Sequence, residues 1–186
     1  FGVMDGTILC HLAAQARGDF RILINAVLCR DKDLAPHFLP VDFSPGKAAM
    51  KNNVAMGRRA REAMAADIPV LIFPSGFVST AGKLGTGQAV EAPWTTFAAK
   101  LISDARANVV PIFFHGQNSR AFHIASHVSE SLRMAFLIRE AKARFGTRFD
   151  VTIGDTLPYE SLEGIGGRKA LTRYLYGAVQ QLGQLQ

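Results

Sequence analysis

The stretch FLPVDFSPGKAAMKNNVAMGRRAREAMAADIPVLIF, residues 38–73, decides the fold. It opens on a short apolar run, 38–43, broken by Pro40, and closes on a second, 69–73. Both are short and apolar enough to read as buried strands. Residues 48–66 between them read as one long helix. Met50, Val54 and Met64 fall near one face and Lys51, Arg58, Arg59 and Arg61 on the other. Strand, helix, strand is the repeating unit of a parallel sheet.

The same alternation extends in both directions. Residues 21–28 (RILINAVL), 109–114 (VVPIFF) and 149–153 (FDVTI) read as further strands. Residues 94–107, 132–145 and 168–182 read as helices. A first helix runs through Ile8, Leu9 and Leu12, with Asp5 as the expected N-cap, its carboxylate taking free backbone N–H groups. The expected fold is α/β: a mostly parallel central sheet flanked by helices, with right-handed crossovers covering both faces. Residues 79–92 (STAGKLGTGQAVEA) form a long polar loop after a strand. Ligands of such sheets sit beyond the carboxyl ends of strands, so the loops after Phe43, Phe73 and Phe114 are the places for a site.

The 186 residues fit one domain, 1–186. Apolar residues make up 48% and charged residues 19%, which excludes a disordered chain and a collagen. Cys10 and Cys29 have no metal or CxxC spacing and read as reduced core residues. A net charge of +6 favours an anionic partner. No run approaches the ~20 apolar residues that span a bilayer, and no leader pattern stands in the given residues. The chain opens on Phe1 rather than Met.

Several motifs fail. Gly46-Lys47 is preceded by Val41 and followed by Ala48 where a phosphate loop needs Gly and Ser or Thr. Gly82, Gly85 and Gly87 lack dinucleotide-fold spacing. His123 and His127 share a helical spacing, but Ile124 stands where a zincin needs Glu, so the pair reads as structural. Ser75 lies in PSG and not in a nucleophile elbow. No RNA- or DNA-binding signature appears, and no nucleic-acid partner is expected.

Four blocks in order do agree: FGVMDG (1–6), FLPVDF (38–43), FPSGFVS (73–79) and VVPIFFHGQNS (109–119). Together they resemble the glycerolipid (lysophospholipid) acyltransferase superfamily, most closely its haemolysin-like, ornithine-lipid-forming branch. The resemblance implies transfer of a fatty acyl group from an acyl-carrier-protein or acyl-CoA thioester to a lysolipid hydroxyl. A lyso-ornithine lipid is the favoured acceptor and lysophosphatidate the runner-up; no metal or redox cofactor is implied. In the first block a histidine acts as base and an aspartate orients it. Asp5 matches the aspartate and Gly6 follows it. The histidine would fall one or two positions ahead of Phe1, so the resemblance implies a domain lacking its N-terminal part and inactive as given.

The third block reads FPEGTRS in the wider superfamily, its Glu and Arg holding a phosphate. Here Ser75 and Val78 stand at those positions, which removes a bidentate fork and argues against a phosphomonoester acceptor. Phe73, Pro74, Ser75 and Gly76 are the implied acceptor contacts, with Gly6 of the first block and Pro111 of the fourth. Gly76 would allow close backbone approach. The second block, near Asp42, is degenerate. His115 reads mainly as structural. Arg58, Arg59 and Arg61 read as a solvated face that could also meet an anionic partner. Peripheral contact with the cytoplasmic face of the inner membrane is expected, with 132–145 as one candidate surface, although packing on the sheet is the better reading of that helix. A non-catalytic module binding anionic lipid or nucleotide is the alternative.

Overall fold

The computed structural model describes residues 2–29 and 35–185; Phe1, the start of the first block, lies outside them. Strand β1 (Arg21–Asn25) is the centre of a three-stranded parallel sheet, between β2 (Phe38–Val41) and β3 (Val70–Leu71). Ile22 stands opposite Phe38 on one side and Leu71 on the other. Helix α2 (Lys47–Ala65) links β2 to β3 and packs on all three strands. The mixed α/β fold is thus the one expected.

Neighbouring residues of a strand face opposite ways, and the two cores follow that rule. Ile22 and Phe38 join Phe20 against Cys10 and Ala13 of helix α1 (Val3–Arg17). Leu23 and Leu39 join Met56 and Ala60 of α2 and Leu101 of helix α3 (Phe97–Ala105). Both cysteines are free, and burial pushes the Cys10 thiol up to about 11, so it stays protonated and inert. Pro40 lies on the edge strand β2, where a missing N–H is tolerated.

The strand ends have local causes. Asn25 Oδ1 accepts from the Val27 N–H at 3.1 Å and turns the chain out of β1 into a short 3-10 turn, before the expected end at 28. Asn53 of α2 accepts from the Asp42 N–H and donates to the Asp42 carbonyl, at 2.8 and 2.7 Å. That clamp ends β2 at Val41.

Four expectations are corrected. Helix α1 begins at Val3, so Asp5 sits in its first turn and does not cap it; Gly2, at φ 80°, makes the turn into the helix. On α2 the buried stripe is Ala49, Met56, Gly57, Ala60 and Ala63, whereas Met50 and Val54 are 63% and 67% exposed. Small residues let the helix lie close to the sheet, which leaves the larger side chains outside. The expected helix 132–145 is the second of two, α4 (Arg120–Val128) and α5 (Glu130–Ala143), folded against each other. Ser129, in extended backbone, ends the first and caps the second by accepting from the Leu132 N–H at 3.1 Å.

The fourth correction follows from the third. Strands β4 (Ile112–Phe114) and β5 (Val151–Ile153) pair antiparallel with each other and not with the parallel sheet. One crossover helix returns a chain to the start of its strand; two helices folded together return it to the end it left. Helices α6 (Tyr159–Glu163) and α7 (Gly167–Leu182) close the chain. Their Leu162, Leu171 and Leu175 bury Ala99 of α3 in a further cluster.

Candidate active site

A cleft of about 1260 Å³ runs between the first turns of α1, the end of β3 and the β4–β5 ribbon. Asp5, Phe73, Pro74 and Pro111 all line it, so residues of the first, third and fourth blocks share one wall. Gly6, Ser75 and Gly76 lie next to these in sequence but not among the lining residues. Two of the three expected loops, those after Phe73 and Phe114, reach the cleft; the loop after Phe43 does not.

Asp5 gains its place from α1. A carboxylate in the first turn faces the positive end of the helix dipole, and Asp5 Oδ1 accepts from the Gly6 N–H at 2.9 Å. Gly2 stands just ahead, so close to the Val78 and Leu137 side chains that a Cβ there would sit 2.7 and 2.8 Å from them. The start of the first block therefore packs on the third block and on α5.

The third block is a tight turn. The Gly76 N–H donates to the Phe73 carbonyl at 2.9 Å, with Gly76 at φ 71°. A Cβ on Gly76 would lie 2.7 Å from the Phe43 ring, so only glycine fits this contact between the second and third blocks. Ser75 is buried and donates its hydroxyl proton to the Phe77 carbonyl at 3.1 Å. The Pro74 carbonyl accepts from both the N–H and the hydroxyl of Thr95, at 3.1 and 3.2 Å. Pro111 is buried, and its carbonyl accepts from the Gly154 N–H at 2.9 Å at the mouth of the ribbon.

Sequence reasoning missed several residues of this cleft. Glu91 and Trp94 line it from the end of the long polar loop. Burial pushes the Glu91 carboxyl above its ordinary range, against the pull of the neighbouring Trp94 indole and Ser75 hydroxyl. The buried Trp94 N–H faces that carboxyl and attracts it without closing a short hydrogen bond among the described residues. Asn118 lines the cleft too, buried, with its Oδ1 unpaired among the described residues. Arg133 of α5 donates to the Val78 carbonyl at 2.9 Å, so a guanidinium stands next to position 78 although the sequence there is Val. No periodicity marks these residues, because they come from two separate loops and a helix. His115 lies on the cleft wall with Nε2 2.7 Å from the Thr152 hydroxyl, tied to the ribbon as its structural reading implied.

The histidine pair of α4 has a structural task. His123 Nδ1 accepts from the Ala81 N–H at 3.2 Å, and His127 Nε2 meets the Ala81 carbonyl at 2.8 Å. Residues four apart on one helix thus grip both backbone polar groups of one residue, Ala81. Among the described residues no cluster of His, Cys, Asp and Glu could hold a metal ion. None of their helices is long and apolar enough to cross a membrane.

Two relatives are similar along most of this chain. A lyso-glycine lipid O-acyltransferase of Phocaeicola vulgatus is 26% identical over 170 residues, covering 87% of this chain and 58% of the relative. One of the same name from Bacteroides thetaiotaomicron is 28% identical over 170 residues, covering 87% and 59%. The chain therefore spans about three-fifths of their length. No solved structure matches it. A family model described as Acyltransferase matches residues 1–176. The blocks that meet on the cleft all lie inside that match, and the chain belongs to this acyltransferase family.

Proposed function

We propose that this chain is the acyl-transferring part of a lysolipid O-acyltransferase whose acceptor carries an amino acid head. The observation that carries the reading is the shared cleft: Asp5, Phe73, Pro74 and Pro111, distant in sequence, line one cavity with both apolar and polar walls, as an amphipathic lipid needs. The names of the two relatives support an amino-acid lysolipid, glycine or ornithine, over lysophosphatidate. Val78 in place of an arginine agrees, since the phosphate-binding fork is absent from the block itself.

In this reading a histidine of the first block, ahead of Phe1, removes the proton of the acceptor hydroxyl. Asp5 fixes its tautomer and stabilises the imidazolium that forms. The oxygen attacks the carbonyl of a fatty acyl thioester of coenzyme A or acyl carrier protein. A C–O bond forms, the C–S bond breaks, and the imidazolium returns the proton to the departing thiolate. The reaction takes place at a membrane surface, the cytoplasmic face of the inner membrane, where acceptor and product reside. Exposed Met50 and Val54, set among Lys47, Lys51 and Arg58 on α2, support a contact there.

The test is acyl transfer by the protein extended upstream through the first block. Labelled acyl thioester is offered with lyso-glycine lipid, lyso-ornithine lipid and lysophosphatidate in turn. Transfer to an amino-acid lysolipid, abolished by Asp5→Ala, is the expected result. Transfer to lysophosphatidate alone would overturn the choice of acceptor, and no transfer at all the enzyme.

A further inference from the structure

The inner part of the cleft is bounded by two strand edges left unpaired among the described residues. On one side the Arg21 N–H of β1 donates to the Pro69 carbonyl at 2.9 Å, and Leu71 stands opposite Ile22. Residues 69 and 71 therefore turn their backbone groups to β1, and Val70 and Ile72 turn theirs away. On the other side the Pro111 carbonyl accepts from the Gly154 N–H at 2.9 Å, and the His115 N–H donates to the Asp150 carbonyl at 3.0 Å. The backbone groups of Val110, Ile112 and Phe114 thus point away from β5. All five of these outward-turned residues line the cleft, two from one side and three from the other. β3 and β4 are edge strands of separate sheets, and no backbone hydrogen bond joins them among the described residues.

A free edge presents a row of N–H and C=O groups that a fatty chain cannot satisfy and a strand can. The two edges also run the same way. β3 and β4 are connected through α3, and the Phe73 and Phe114 rings, at or just past their carboxyl ends, lie 6.5 Å apart. Both faces of the gap are already roofed. Leu9 of α1 covers it from one layer, and Met64 of α2 with Ala98 and Ile102 of α3 from the other. That is the setting of a central strand in a parallel sheet, covered on both faces.

The chain itself leads there. Gly2 packs on Val78, beyond the carboxyl end of β3. A segment running straight into the first block ends at that edge, so as a strand it lies parallel to β3. Strand, α1, β1 is then an ordinary parallel crossover. The chain spans about three-fifths of the length of its relatives, which leaves residues for such a segment.

We propose that the residues immediately ahead of the first block form a strand inserted between β3 and β4, which joins the two sheets into one. This rests on the reading under Proposed function that the base lies ahead of Phe1. The inserted strand carries that base at its carboxyl end, on the wall that holds Asp5. The outer cleft, beyond Phe73 and Phe114, stays open for the acceptor.

Neighbouring strands lie about 4.8 Å apart, so one inserted strand holds β3 and β4 about 10 Å apart. A disulfide reaches only between neighbours. The test uses the upstream-extended protein with Cys10→Ala and Cys29→Ala. Ile72→Cys or Ile112→Cys is combined with single cysteines placed through the strand-length stretch, about six residues, ahead of the base. Under mild oxidation both are expected to link to upstream cysteines, and, in a protein carrying both, not to each other. A link between Ile72→Cys and Ile112→Cys overturns the proposal, and so do upstream links to one edge alone or to neither. Hydrogen exchange of the protein with its own cysteines, read residue by residue, needs no variant to fold. The Ile72 and Ile112 amides should exchange at least ~100-fold more slowly than in an unstructured peptide, and rates within about tenfold of it overturn the strand. Acyl transfer by the extended protein separates the two readings. Both links without transfer keep the strand and sink the enzyme; transfer without the links keeps the enzyme and sinks the strand.

Discussion

Asp5 shows how much one residue owes to its helix. The first turn of α1 presents its carboxylate to the cleft and its neighbour's N–H holds one oxygen in place. Asp5→Asn keeps the shape and removes the charge that stabilises an imidazolium. Initial rates of the upstream-extended protein should fall about 10²–10⁴-fold, the usual worth of general acid–base assistance, with Tm little changed. A rate within threefold of wild type would remove Asp5 from the mechanism.

His123 sets a second residue-scale expectation. It is fully enclosed, and its Nδ1 takes the Ala81 N–H, so the neutral ring is the form that fits. Burial lowers its pKa from the ordinary 6.5, opposed by the Asn118 backbone and by Glu140, and assisted by His127. The unfolded chain therefore binds a proton that the folded chain refuses. The stabilising contribution is complete above the unfolded pKa and is lost as pH falls from there through the folded value. The slope approaches about 1.4 kcal/mol per pH unit for one proton. Thermal melts from pH 7.5 down to 5 should show that decline, and His123→Gln should flatten it. An unchanged slope in the variant would assign the decline elsewhere.

At the scale of elements, α2 divides its work between two faces. Its small residues lie on the sheet, and Met50 and Val54 stand outside among lysines and arginines. If that face meets lipid, Met50→Asp with Val54→Asp should cut co-sedimentation with vesicles of anionic phospholipid by about tenfold, since both apolar burial and charge attraction are lost. Tm should hold, because neither side chain is in the core. Equal sedimentation by variant and wild type would move the contact to another surface. The α4–α5 pair teaches the companion lesson. Ser129→Ala removes a cap at the corner between the two helices and should cost about 0.5–2 kcal/mol in chemical unfolding.

At the scale of the whole molecule, the parallel sheet is the anchor for everything the cleft needs. Leu39, 1% exposed, joins the sheet to α2 and α3. Leu39→Ala should destabilise the protein by about 2–5 kcal/mol in denaturant titration, the range for a buried leucine that leaves a cavity. A loss under 1 kcal/mol would mean that the sheet and its helices relax to fill the space.

What the amino-acid order determined by itself was local and repeated. Strand-length apolar runs around a long helix specified a parallel βαβ core, because periodicity depends only on near neighbours. The blocks around Asp5, Phe73–Pro74 and Pro111 were legible for the same reason, each being a short contiguous stretch. The tight turn after Phe73 and the structural histidine spacing could be read without coordinates; that Gly76 packs on Phe43, away from the cleft lining, could not. Ser119 and Ser129, each followed three residues on by a large apolar side chain, were the available signal for the missed helix pair. Only the tertiary structure decided which face of α2 is buried, because that depends on how closely a helix can approach a sheet. It alone paired β5 with β4, since the direction of return follows from how two helices fold together. It alone put Glu91 beside Ser75, and Arg133 on Val78, because contacts between distant elements leave no period in the chain.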